Sequence, residues 1–191
     1  MLEPRSVPTL RQTGALAAVK ITPPRGGLLT AALPGLRNGR GGRGVAGMRK
    51  DLIIPAAFWT VTYNGARFPG APGVKGLTGG ANCQQFAYEL LRHNGFAISD
   101  LRSSELWDDT ADTVRAMPPF QPGDLLLFNG KPEAWGAHVA VSLGGGEAIH
   151  LAKHAGKPAV WTLEQFAARP LYTCFIGAKR PIRRVTAARL S

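Results

Sequence analysis

The sequence predicts an α+β fold, with one amphipathic helix packed on an antiparallel sheet of about five strands. Three observations carry this expectation. Apolar residues recur at helical spacing in one clear stretch, Cys83, Phe86, Ala87, Leu90 and Leu91. Five short strand-like runs follow it, each bounded by turn residues. The links between those runs are too short for the crossovers that parallel strands need.

The helix is predicted to start at Asn82, a good N-cap, and to stop at Asn94-Gly95, with Arg92 and His93 placed to complement its C-terminal end. Short helices are expected at 104–109 and, after Thr162, at 163–168. Strands are expected at 124–129 (DLLLFN), 137–143 (AHVAVSL), 147–151 (EAIHL), 158–162 (PAVWT) and 171–178 (LYTCFIGA). Gln121-Pro122-Gly123-Asp124, Gly144-Gly145-Gly146 and Gly156-Lys157-Pro158 supply the turns.

The chain has 191 residues, 45% of them hydrophobic and 18% charged, which suits one core with appendages. The formal charge of +11 is uneven. Residues 1–51 hold nine Lys/Arg against Glu3 and Asp51, and residues 179–191 hold five bases and no acid. The intervening 52–178 carry nine bases and ten acids. Residues 1–50, with nine Gly, five Pro and no aromatic residue, are expected to be a disordered basic tail. Residues 1–47 can also be read as an upstream extension, since Met48-Arg49-Lys50 opens a more protein-like text. The expected organisation is thus a tail at 1–50, a folded domain at 52–178 and a basic C-terminal tail at 179–191.

A nucleic-acid-binding face is not expected, because the foldable part has no excess of positive charge. "GRGGRG" at 39–44 satisfies a dinucleotide-loop pattern but has neither the strand before it nor the helix after it. Arg37, Arg40 and Arg43 lack the interleaved aromatics of single-strand recognition. No apolar run is long enough to span a membrane. "GGLLTAALPGL" at 26–36 is interrupted by Pro34 and lies deep for a signal sequence.

Cys83 falls at the first turn of its helix, where free N–H groups and the macrodipole favour a thiolate and can serve as an oxyanion hole. It also fits the apolar stripe as a small buried hydrophobe. A three-residue turn at 144–146 places Ala140 opposite His150 and His138 opposite Ala152. His138 and His150 then share one sheet face as diagonal neighbours, while Val139, Val141, Leu143, Ile149 and Leu151 form the core face. A cysteine at a helix start with such a pair matches nucleophile, base and orienting group. Two other readings use the same residues: histidines on a solvated face, or zinc held by Cys83 with three of His93, His138, His150 and His154. His93 and His154 are expected at the surface and Cys174 in the core.

These features resemble the NlpC-type cysteine peptidases, papain-like bacterial cell-wall hydrolases. The resemblance covers roughly residues 79–178 and rests on Cys83 opening a helix, on "QPGDLLLF" at 121–128, on "AHVAVSLGGGEAIHLA" at 137–152, and on the spacing of twelve between the histidines. It implies a papain-like fold and amide hydrolysis, with Cys83 as nucleophile, His138 as base and His150 as third member of the triad. Tyr63 is the nearest candidate for the tyrosine the family places by its oxyanion site. The family's usual Asp-Cys-Ser reads Asn82-Cys83-Gln84 here, so the carboxylate that partners a substrate ammonium is missing while Asn82 and Gln84 occupy the binding positions. The implied substrate is a peptidoglycan stem peptide, with no cofactor or metal. The alternatives are a papain-like amidase or acyltransferase on another amide or ester, or an inactive wall-binding module. The basic ends suggest an anionic wall polymer as a further partner. Peptidoglycan chemistry implies a cell-wall or extracellular location, whereas the missing signal-like segment leaves a cytoplasmic one open.

Overall fold

The computed structural model describes residues 52–182, so the expectations for residues 1–50 and 183–191 lie outside the described residues. The amphipathic stretch is helix α2 (Cys83–His93), preceded by a short α1 (Ala56–Trp59) and followed by α3 (Ser103–Asp108). Asn82 starts α2 as expected, its Oδ1 accepting a hydrogen bond from the Gln85 N–H at 2.7 Å. Asn94 ends it, its N–H turning back to the Leu90 and Leu91 carbonyls.

Six strands form one sheet: β1 (Thr113–Ala116), β2 (Leu125–Asn129), β3 (His138–Gly144), β4 (Glu147–Leu151), β5 (Pro158–Thr162) and β6 (Cys174–Pro181). They lie in the order β1-β6-β2-β3-β4-β5, each pair of neighbours antiparallel. Helix α4 (Leu163–Ala167) leaves β5 through Thr162, whose hydroxyl accepts from the Gln165 N–H while the Gln165 side chain accepts from the Thr162 N–H. A single 3-10 turn, Pro170–Tyr172, precedes β6.

Two strands depart from expectation. β1 has only four residues, TVRA, with the middle two exposed, so no alternation marks it in the sequence. β6 starts later than expected, because Pro170–Tyr172 coil into the 3-10 turn, and it runs on to Pro181. Lys179 and Arg180, basic residues that composition assigns to the tail, belong to the sheet. Lys179 is buried, with Nζ donating to the Asp109 and Trp107 carbonyls at 2.5 and 3.3 Å. Arg180 forks onto both oxygens of Asp124 at 2.8 and 2.7 Å.

Both faces of the sheet are covered. On one, Leu125, Leu127, Val139, Val141, Ile149 and Leu151 pack against Phe86, Leu90 and Leu91 of α2. On the other, Leu126, Phe128, Ala140, Ala148 and Ala178 pack under Phe166 of α4 and Tyr172. Phe128 and Phe166 stack there with centroids 4.3 Å apart. Each fully buried Val, Leu, Ile or Phe among them contributes roughly 1.5–3 kcal/mol. The β3–β4 hairpin keeps the expected register, Val141 opposite Ile149 and Ser142 opposite Ala148, before a bulge pairs Gly144 with Glu147.

Candidate active site

The backbone leading into Cys83 is tied down from outside the helix. Ala81 donates to the Thr62 carbonyl and accepts from Asn64, Asn82 donates to the Arg67 carbonyl, and Tyr63 and Ala81 form an isolated parallel bridge. Gly80 makes this approach possible. It sits at φ +91°, and a Cβ there would lie 2.5 Å from the Thr62 oxygen. Cys83 follows as the first helical residue, half-buried.

Burial pushes the Cys83 thiol up, against the opposing pull of the Val139, Gln84 and Cys83 N–H groups and the more distant Arg102 guanidinium. The expected depressed thiol is therefore corrected. The helix terminus acts in the expected direction, but removing sulfur from water outweighs it. The contact with Val139 sets Cys83 against the residue that follows His138.

His138 Nε2 and His150 Nδ1 lie 3.0 Å apart, their rings almost perpendicular at 89°. The pair is not on a solvated face: His138 is 9% exposed and His150 1%. Trp161 lies 4.0 Å and Phe166 4.8 Å from the His150 ring, and Tyr172 lies 4.8 Å from that of His138, all between centroids. Burial, reinforced by repulsion from neighbouring positive groups, holds His138 well below the usual imidazole range and His150 down to about 3. Both rings are therefore neutral at pH 7. The buried Nε2 of His150 has no hydrogen-bond partner among the described residues.

Tyr63 stands within electrostatic reach of the Cys83 sulfur, and burial together with that sulfur raises its phenol. Asn82 spends its Oδ1 on the helix cap. Gln84 turns inward, 4% exposed, with Nε2 donating to the Tyr88 hydroxyl at 2.9 Å; that hydroxyl donates to the Leu101 carbonyl at 3.2 Å. His93 is exposed beside Phe58, their ring centroids 5.8 Å apart. His154 is also exposed, yet its ring packs 5.4 Å from Trp161, at the edge of the histidine pair. Cys174 is half-buried at the start of β6, opposite Asn129, rather than in the core. Among the described residues, no three His, Cys, Asp or Glu side chains are grouped to hold a metal ion, and no helix is long and apolar enough to cross a membrane.

The cover of Trp161, Phe166 and Tyr172 over the histidine pair is not among the sequence expectations. One part was recoverable. The expected strands at 147–151 and 158–162 pair with Ala148 opposite Trp161 and His150 opposite Ala159, which puts Trp161 diagonal to His150. The fold-back of α4 that brings Phe166 over the histidines leaves no periodic signal.

No protein-family model matches the chain, and no curated protein matches it either. Among solved structures, the chain is similar to an NlpC/P60 family protein from Bacillus cereus, at 21% identity and a TM-score of 0.41. That alignment covers 53% of this chain and 31% of the other, so it spans about a third of that protein.

Proposed function

We propose that this chain is a cysteine hydrolase that cleaves an amide bond, with Cys83 as nucleophile, His138 as base, His150 as the group that orients it, and peptidoglycan stem peptides as the substrate class. The carrying observation is the buried 3.0 Å contact between His138 and His150, with the N–H of the next residue, Val139, reaching a cysteine in the first turn of a helix. The motif text around Pro122 and around the two histidines supports the substrate class.

The proton path takes neutral His150 with its proton on Nε2. His150 Nδ1 then accepts from His138 Nε2–H, and His138 Nδ1 keeps the lone pair a base needs. His138 takes the thiol proton as sulfur attacks the carbonyl carbon. The carbonyl π pair moves to oxygen, where the free N–H groups at the start of α2 stabilise it. Collapse breaks the C–N bond, and the amine leaves with the proton from His138. Water, deprotonated by His138, then cleaves the thioester, releasing the acid and restoring the thiol. Tyr63, kept protonated by its raised pKa, is the hydroxyl within electrostatic reach of the sulfur. Asn82 and Gln84, committed to the cap and to Tyr88, serve the scaffold.

Digestion of muropeptides, read by mass spectrometry, tests the reading. Cys83→Ala should lower kcat/KM by about 10⁴-fold or more. Cleavage that survives this substitution would assign the chemistry to another group.

A further inference from the structure

A base that serves Cys83 must keep one nitrogen on His150 and turn the other toward the sulfur. An imidazole does not hold such an orientation by itself, because its second side-chain torsion is broad rather than confined to staggered wells. The 3.0 Å contact of His138 Nε2 with His150 Nδ1 fixes one corner of the ring. That contact is made at the ring's edge and leaves its faces unsupported. The nearest ring to His138 is that of Tyr172, 4.8 Å away between centroids and tilted by only 36°, whereas Phe166 stands off at 6.2 Å. At that separation and tilt Tyr172 lies against a face of the imidazole.

Tyr172 is itself firmly seated. It is 7% exposed and closes the 3-10 turn Pro170–Tyr172, its N–H donating to the Arg169 carbonyl at 2.9 Å. The Arg169 N–H returns in turn to the Phe166 carbonyl at 3.0 Å, so one short wrap of backbone carries both aromatic rings. The wrap is pressed onto the end of β2, where a Cβ on Gly130 would lie 3.0 Å from the Pro170 carbonyl oxygen. Gly130 stands two residues beyond Phe128, the strand partner of His138. Among the described residues the Tyr172 hydroxyl makes no hydrogen bond, and burial pushes the phenol up to about 12, so it is uncharged at neutral pH. What Tyr172 offers His138 is its ring.

We propose that Tyr172 is a positioning residue of the thiol site, its ring bracing a face of His138 so that the imidazole keeps one nitrogen on His150 and the other free for Cys83. This role rests on the reading of His138 as the base. Tyr172 acts through His138 and carries no proton in the reaction.

Two substitutions separate the ring from the hydroxyl. Tyr172→Phe keeps the flat surface, and Tyr172→Leu keeps an apolar side chain without it. In full-length protein, side-chain nitrogen NMR should show His138 as one neutral tautomer in the parent and in Tyr172→Phe, and as an exchanging mixture in Tyr172→Leu. With muropeptides as substrate, kcat should fall about tenfold or more in Tyr172→Leu at unchanged KM, and Tyr172→Phe should turn over at the parent rate. A single tautomer retained in Tyr172→Leu overturns the proposal, as does Tyr172→Phe losing as much kcat as Tyr172→Leu. A mixture of tautomers already present in the parent overturns it without any variant, which keeps the test decisive should Tyr172→Leu fail to fold. The hydrolase reading fails separately, if Cys83→Ala still cleaves muropeptides; the tautomer result then stands, and only its use in catalysis falls.

Discussion

His150 is held neutral by its surroundings, and that makes the fold sensitive to acid over a defined range. Its pKa is about 3 in the folded protein against 6.5 when exposed, and that of His138 is lowered too. The sign follows from proton counting. Below the unfolded value the unfolded chain binds protons that the folded one refuses, so stability is full above about pH 6.5 and declines as pH falls toward the folded values. His150 alone contributes a slope of about 1.4 kcal/mol per pH unit, or about 2 kcal/mol between pH 6.5 and 5. Carboxylates are largely ionised across that window, so urea unfolding should show the loss as coming from the histidines. A flat stability there would mean that the rings are hydrated. At this scale the sequence was informative about position and poor about energy. The parity of the hairpin and the cap at Asn82 placed the residues. The protonation of Cys83 depends on burial by the fold, set against N–H groups that include one distant in the chain, that of Val139.

The segment before α2 works as a single bracket built on glycine. Gly80 holds a left-handed conformation pressed against the Thr62 carbonyl, and Arg67 Nε donates to the Gly80 carbonyl at 2.9 Å. An alanine there would suffer both the left-handed penalty, about 1–2 kcal/mol, and a clash with backbone that cannot rotate away. Gly80→Ala should therefore lower stability by about 2 kcal/mol or more, measured by urea unfolding. It should also slow Cys83 alkylation or turnover beyond what the stability loss explains, because the bracket sets where α2 begins. A variant with unchanged stability would show that the loop relaxes freely. Helix α2 and strands β2 to β5 were legible because each carries its own period and punctuation. β1 and the 3-10 turn were not, because their residues are ordered by what they pair with or cover rather than by local pattern.

Across the whole molecule, charge separates into a near-neutral body and basic ends, but the boundary is set by the sheet. Asp124 is fully buried with its two oxygens on Arg180, and Gln121 N–H adds a third hydrogen bond at 2.8 Å. A chain ending at residue 178 would strip β1 of its partner and leave Asp124 an uncompensated buried charge, a loss of about 3–5 kcal/mol from the carboxylate alone. A chain ending at residue 182 keeps both. The second chain should unfold cooperatively in urea close to the full-length protein, and the first should be unfolded or nearly so. This comparison allows a clean test of the ends as a tether. If the basic residues before 48 and after 182 attach the protein to an anionic polymer, then full-length protein should bind a polyphosphate matrix in a salt-dependent way. The 48–182 chain should elute at low salt while turning over a small soluble peptide at the full-length rate. Equal loss of binding and turnover would make the ends part of the working fold, and undiminished binding by 48–182 would move the anion-binding surface onto the body.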